Sequence, residues 1–104
     1  MRKLTADDLP EFLATKPVSV IHFDAEWDVS YRAQVRRAML GAEAALGHVA
    51  SFGEVDCDTN PEIARSTPVP NVPLVAYYRD GSLVMTVIGV NQDIRARVEH
   101  LVRA

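Results

Sequence analysis

Three acidic residues follow one another at alternate positions and are the first candidates for chemistry in the chain. They are Asp24, Glu26 and Asp28. Carboxylate oxygens are the ligands that hard divalent cations prefer, so this spacing raises the question of a metal site. Carboxylates that share one exposed loop are more often simply hydrated, because charged side chains rarely leave water without a partner. We therefore predict no metal ion and no cofactor.

The chain has a single cysteine, Cys57, and this limits its redox chemistry. One thiol closes no intramolecular disulfide, and disulfide exchange needs an attacking thiolate and a resolving thiol. Cys57 has no adjacent cation in the sequence and does not begin a helix, so a buried structural thiol is favoured over a reactive one. A lone cysteine also fits a reducing compartment, and we expect a cytoplasmic protein.

Length and charge indicate one domain over residues 1–104 and exclude some partners. The chain has 104 residues, of which 48% are hydrophobic and 24% charged, enough for one modest core. A net charge of -3 gives no general attraction to nucleic acid or to anionic lipid. Neither a leader-like apolar segment near the start nor about 18 consecutive apolar residues occurs, so no membrane partner is expected.

The candidate residues lie near the ends of predicted strands and helices. An apolar, β-branched run over 18–23 predicts a strand covered on both faces. A helix over 8–15 precedes it, with Asp8 as N-cap and Glu11 as its capping-box partner. Apolar residues at helical spacing predict an amphipathic helix over 30–46, whose arginines 32, 36 and 37 lie on the outer side.

The second half of the chain predicts three more strands and two more helices. They are a strand over 49–57, a short helix through 62–64, strands over 74–78 and 83–88, and a helix capped by Asn91. Asp80-Gly81 suits a tight hairpin, so the last two strands are expected to be antiparallel. The final helix is expected to turn four apolar residues inward: Ile94, Val98, Leu101 and Val102.

Five segments resemble those of thioredoxins in order and spacing. They are Phe23-Asp24-Ala25-Glu26-Trp27, Val55-Asp56-Cys57-Asp58-Thr59-Asn60-Pro61, Val69-Pro70-Asn71-Val72-Pro73, Tyr78-Arg79-Asp80-Gly81 and Ile88-Gly89. The resemblance covers residues 8–103. It implies the thioredoxin fold, an α/β architecture with a central mixed sheet of four strands, or five, and helices on both faces.

The chain departs from that family at its redox motif. Where thioredoxins have Trp-Cys-x-x-Cys-Lys, this chain has Trp27-Asp28-Val29-Ser30-Tyr31-Arg32. Asp28 and Tyr31 thus replace both cysteines, so the resemblance implies no dithiol chemistry here and we expect no enzyme activity. Capping of the helix start explains Asp28 without a catalytic role.

The resemblance also places His22 and Glu54 at buried positions where thioredoxins commonly carry an aspartate and a lysine. Buried polar groups are normally hydrogen-bonded, so we expect a hydrogen bond or ion pair between these two side chains on neighbouring strands. A retained role in proton transfer is the alternative.

A partner-binding groove is the main functional implication of the resemblance. Its residues would be Trp27, Asp28, Tyr31, Val72, Pro73 and Gly89, with a cis Val72-Pro73 bond. Thioredoxins pair the main chain before this proline with an extended segment of another protein. The leading hypothesis is a redox-inactive adaptor, chaperone or assembly factor that is a monomer or weak dimer. The alternatives are an oxidoreductase-related protein acting in redox homeostasis through Cys57, and a purely structural or dimerisation role.

Overall fold

The computed structural model describes residues 1–25, 29–66 and 73–104, with the backbone alone at 29–30 and 64–66. Within these residues the elements are, in chain order, β1 (Arg2–Lys3), a 3-10 turn (Ala6–Asp8), α1 (Leu9–Thr15), β2 (Val18–Asp24), α2 (Val29–Leu46), β3 (Ala50–Asp56), α3 (Pro61–Ser66), β4 (Leu74–Arg79), β5 (Ser82–Ile88) and α4 (Ile94–Arg103). No helix in the described ranges is long and apolar enough to cross a membrane.

The strands form one mixed sheet in the order β1-β3-β2-β4-β5. β3 runs parallel to both β1 and β2, whereas β4 is antiparallel to β2 and β5 is antiparallel to β4. This arrangement confirms the predicted α/β class and resolves the strand number to five. The fifth strand, β1, consists of two exposed residues, so it has no hydrophobic pattern from which a strand could be predicted.

The central strand β2 is buried along all seven residues, as the continuous apolar run predicted. Because side chains alternate across a strand, its residues divide between two cores. Val18 and Val20 pack on the face covered by α2 and α4. Ile21 and Phe23 pack on the opposite face, with Phe12 of α1. The sheet is thus covered on both sides, and β2 holds both layers together.

Two predictions about α4 are wrong. The helix begins at Ile94 with Asp93 as its N-cap, so Asn91 lies too early in the chain to cap it. Val102 is 38% exposed, whereas Leu101 is buried. Successive residues on a helix point about 100° apart, so a narrow apolar stripe that includes Leu101 leaves its neighbour outside.

The start of α1 also differs from the prediction. The capping interaction lies one turn earlier, where the Thr5 N–H donates to Asp8 Oδ2 at 2.8 Å. Asp8 itself has helical backbone angles, φ -80° and ψ -23°. Asp8 holds the N-cap position of α1, as predicted, but its side chain makes no cap hydrogen bond there. Its carboxylate instead forms a capping box with Thr5 at the start of the 3-10 turn, and Glu11 accepts a hydrogen bond from Arg2 rather than completing a capping box with Asp8.

The β4–β5 hairpin has the turn that its Asp-Gly pair predicts. Asp80 and Gly81 both have positive φ angles, 52° and 82°, as a two-residue type I′ turn requires. The turn is also tied to the connection between α1 and β2, because the Asp80 N–H donates to the Pro17 carbonyl at 2.7 Å.

Candidate functional site

Buried polar side chains gather at one end of the sheet, where β2 and β3 finish and β4 begins. His22 and Asp24 lie on β2, two residues apart and therefore on the same face. Glu54 lies directly opposite His22 in the parallel β2–β3 register. These residues are 0%, 3% and 7% exposed. Their imidazole nitrogen and carboxylate oxygens lie within 4.8 Å of one another, and we refer to the three residues as the His-Asp-Glu cluster.

The hydrogen bond predicted between His22 and Glu54 is not formed. Neither ring nitrogen of His22 has a hydrogen-bond partner within the described part of the chain. Glu54 Oε2 instead accepts a hydrogen bond from Nε of Arg36 at 3.0 Å. A guanidinium forms a stronger, charge-assisted bond to a carboxylate than a neutral imidazole does, which explains the preference.

Two arginines of α2 lie over the cluster, although they were predicted on the outer side of the helix. Arg32 Nε is 3.9 Å and an Arg36 terminal nitrogen 3.8 Å from Oδ2 of Asp24. These distances exceed hydrogen-bond length, and Asp24 Oδ2 has no hydrogen-bond partner among the described residues. The long aliphatic part of an arginine can follow a helix surface while its head reaches a distant carboxylate, which a simple two-sided helix pattern does not capture.

Burial shifts the pKa values of Asp24 and His22 in opposite directions. The pKa of Asp24 is raised to about 6 by burial first and by the Glu54 charge second, with Arg32 and Arg36 offsetting part of the rise. The pKa of His22 is lowered to about 4 by burial and then by Arg36 and Arg32. Near neutral pH the imidazole is therefore uncharged, whereas Asp24 is close to its titration range.

A cavity of about 420 Å³ adjoins the cluster. Its walls come from the start of the chain, the ends of β2 and β3, α2 and the turn after β3, and they include Lys3, Asp24, Arg32, Arg36, Glu54 and Asn60. Cations and carboxylates thus both face the cavity. A cavity with polar walls of this kind binds water or a small charged ligand better than it binds an apolar ligand.

Cys57 lies immediately after β3 and is half-buried. Its backbone N–H donates to the Asp24 carbonyl at 2.8 Å. Burial, followed by the charges of Asp24, Asp56 and Asp58, raises the pKa of its thiol to about 11. Only about one thiol in ten thousand is then ionised at pH 7, so Cys57 is a poor nucleophile.

Part of the predicted groove lies at the same end of the sheet. Pro73 is buried and its carbonyl accepts a hydrogen bond from the Gly89 N–H at 3.0 Å. Gly89 has a φ of 105° and open space where a side chain would point. Tyr31 is 52% exposed in the first turn of α2. The other groove residues, Trp27, Asp28 and Val72, lie outside the described residues, as do the Val72-Pro73 bond and Glu26.

Solved structures with the same architecture include thioredoxins. The X-ray structure of Fasciola hepatica thioredoxin superposes with a TM-score of 0.79 at 26% identity, covering 99% of this chain and 97% of that one. Oxidised mitochondrial thioredoxin 3 of Saccharomyces cerevisiae gives 0.82 at 23% identity, over 99% and 93%. Plasmodium falciparum thioredoxin gives 0.81 at 18% identity, over 99% and 97%. The chain has the thioredoxin fold.

The similarity of this thioredoxin-fold chain to other proteins lies in its architecture. No protein-family model matches the sequence, and no curated protein matches it either. The fold therefore rests on the course of the backbone, together with the segments that resemble thioredoxins. The single cysteine agrees with the loss of the paired-cysteine motif.

Arg36 is the site residue that sequence reasoning missed in this thioredoxin-like protein. The crossover between the parallel strands β2 and β3 places the first turns of α2 over the ends of those strands. Arg36 lies in those turns, four residues after Arg32, so its side chain can reach a buried carboxylate at the strand ends. The strand-helix-strand topology therefore indicated this contact, whereas the two-sided helix pattern alone predicted a solvent-facing arginine.

Proposed function

We propose that this chain is a redox-inactive thioredoxin-like protein that binds a protein or extended peptide. The binding site would be the groove of Trp27, Asp28, Tyr31, Val72, Pro73 and Gly89. It would act as an adaptor, chaperone or assembly factor in the cytoplasm. The observation that carries the proposal is the state of Cys57: the chain's one thiol is half-buried with a pKa of about 11, so no dithiol and little thiolate are available.

Two described features support binding at the groove. Tyr31 presents 52% of its surface to solvent, and tyrosine is enriched at protein interfaces because its ring packs while its hydroxyl bonds. The Gly89–Pro73 hydrogen bond ties the residue after β5 to the residue before β4. The bare backbone at Gly89 allows close approach of another main chain.

The redox half of the proposal is tested by insulin reduction. With dithiothreitol as electron source, the purified protein should give no acceleration over the uncatalysed rate, whereas a dithiol thioredoxin assayed in parallel should accelerate it strongly. The Cys57→Ser variant should match wild type. Catalysis by wild type that the Cys57→Ser variant loses would instead establish the oxidoreductase alternative.

The binding half is tested with peptides selected from a displayed random library against the purified protein. Backbone amide shifts on titration should cluster at Tyr31, Leu74 and Gly89. Tyr31→Ala should weaken binding about fivefold or more, as expected for an aromatic interface residue. Leu40→Ala is the matched control, because Leu40 is an exposed apolar residue of the same helix and should leave affinity unchanged. Shifts that cluster away from the groove, or equal losses in both variants, would refute groove binding.

A further inference from the structure

The His-Asp-Glu cluster has the donor set of a metal site, and it is not the set considered from the sequence alone. One imidazole and two carboxylates suit Zn²⁺ and other first-row divalent ions, which bind nitrogen and oxygen ligands. The three side chains come from adjacent positions on β2 and β3, so rigid strands hold them. The ligand atoms lie within 4.8 Å of one another, against about 3.4 Å in a tetrahedral site with bonds of about 2.1 Å. The ligand atoms must therefore approach one another by up to about 1.4 Å when an ion binds.

Unpartnered buried atoms provide the second observation. His22 is 0% exposed, and both of its ring nitrogens lack a hydrogen-bond partner in the described ranges, as does Oδ2 of Asp24. Leaving such groups unpaired is costly, so a ligand that satisfies them is favoured. The adjoining cavity is lined by Asp24 and Glu54 and gives these two carboxylates a route from solvent.

The arginines are the main obstacle, and they determine how binding would proceed. Arg36 donates to Glu54 at 3.0 Å, so a metal ion must compete with its guanidinium for that carboxylate. The Arg36 side chain is 39% exposed and can turn into solvent. Arg32 and Arg36 are within 4 Å of Asp24 without hydrogen-bonding it, so an ion that binds Asp24 need not break an arginine hydrogen bond there.

We propose that His22, Asp24 and Glu54 form a site for a first-row divalent metal ion such as Zn²⁺, which displaces Arg36 from Glu54 when it binds. In this arrangement Arg36 acts as an internal competitor, occupying the carboxylate when metal is scarce. The site uses none of the groove residues, so metal binding and peptide binding can be present or absent independently.

The test is calorimetric titration of the untagged, chelator-treated protein with Zn²⁺. We expect one ion per chain, and His22→Leu and Glu54→Gln should each weaken binding about tenfold or more. Arg36→Gln should tighten binding several-fold, because it removes the competitor. This last variant alters a part-exposed side chain, so it tests the proposal even if the buried variants fold poorly. The control His100→Leu changes an exposed histidine and should have no effect.

Titration with Co²⁺ identifies the ligands. Nitrogen and oxygen ligation gives weak visible bands without a strong thiolate-to-cobalt band in the near ultraviolet. A strong thiolate band would refute the assignment, because Cys57 would then be a ligand. The proposal would also be refuted if wild type showed no saturable Zn²⁺ binding, or if His22→Leu bound Zn²⁺ as tightly as wild type. It would be refuted as well if Arg36→Gln bound Zn²⁺ no more tightly than wild type.

Discussion

His22 and Asp24 give the stability of the metal-free protein two opposing pH dependences. The pKa of Asp24 is raised from 3.8 to about 6, so its contribution to stability is full below its unfolded value and is lost as pH rises through about 6. The pKa of His22 is lowered from 6.5 to about 4, so its contribution is present above its unfolded value and is lost as pH falls through about 4. Between these limits the two effects nearly cancel.

Single substitutions should reveal each of the two opposing pH dependences of the unfolding free energy. On acidification from about pH 6.5 to about pH 4.5, His22→Leu should gain stability relative to wild type, because Asp24 then titrates alone. Asp24→Asn should lose stability relative to wild type over the same range. Each slope should reach up to about 1.4 kcal/mol per pH unit. Urea unfolding with chelator present measures both, and parallel profiles for the two variants would show that these groups do not titrate as described.

The residue scale also shows how far sequence reasoning reaches. The burial of His22 follows from its place within an apolar run that both faces of the sheet must cover. The partner of Glu54 does not follow, because an arginine one helix away reaches it through a flexible side chain whose conformation depends on the finished packing. Asp24 was considered with Glu26 and Asp28 as an exposed loop residue, but it is the last residue of β2 and is 3% exposed.

Among the elements, β3 packs closely at Gly53 against Leu4, the residue after β1, and against Phe12 of α1. A β-carbon on Gly53 would lie 2.6 Å from Leu4 Cδ1 and 3.1 Å from the Phe12 ring, and both of those side chains are buried. Gly53→Ala should therefore destabilise the protein by about 1–3 kcal/mol through overpacking. The change in unfolding free energy is measured from the midpoint denaturant concentrations of the two proteins, provided that the m value is the same for both.

Gly41 provides the matched comparison within α2. A β-carbon there meets nothing within 4 Å, and the residue is exposed. Gly41→Ala should stabilise the protein by about 0.5–1 kcal/mol, because alanine loses less backbone entropy in a helix. Equal effects of the two substitutions would mean that Leu4 yields freely at Gly53. The sequence predicted α2 from its periodicity, but a two-residue polar strand such as β1 is fixed by tertiary contacts alone.

The sheet as a whole ends in two unequal edges. β1 contributes two residues, whereas β5 contributes seven, and Val84 and Ile88 of β5 are each 50% exposed. In the described sheet β5 pairs on one side with β4, and such an edge is a template for another strand. We expect weak self-association through β5 at high concentration.

Sedimentation velocity over a concentration series tests this expectation. Val84→Lys should abolish the concentration dependence, because a charge on the edge opposes strand pairing. Val102→Lys, on the exposed side of α4, should leave it unchanged. A wild-type protein that stays monomeric throughout, or an equal response to both variants, would exclude association through β5.

Because of the central position of β2, the hydrogen-exchange rates of its amide protons report the global stability of the protein. The strand has a hydrogen-bonded neighbour on each edge and a packed core on each face. Its amides should therefore exchange with solvent deuterium through complete unfolding alone, whereas amides nearer the sheet edges also exchange through local openings. Any ligand that binds only the native protein lowers the equilibrium population of completely unfolded molecules by mass action. A bound peptide and a bound metal ion would each lengthen the exchange times of β2, wherever on the molecule they are held.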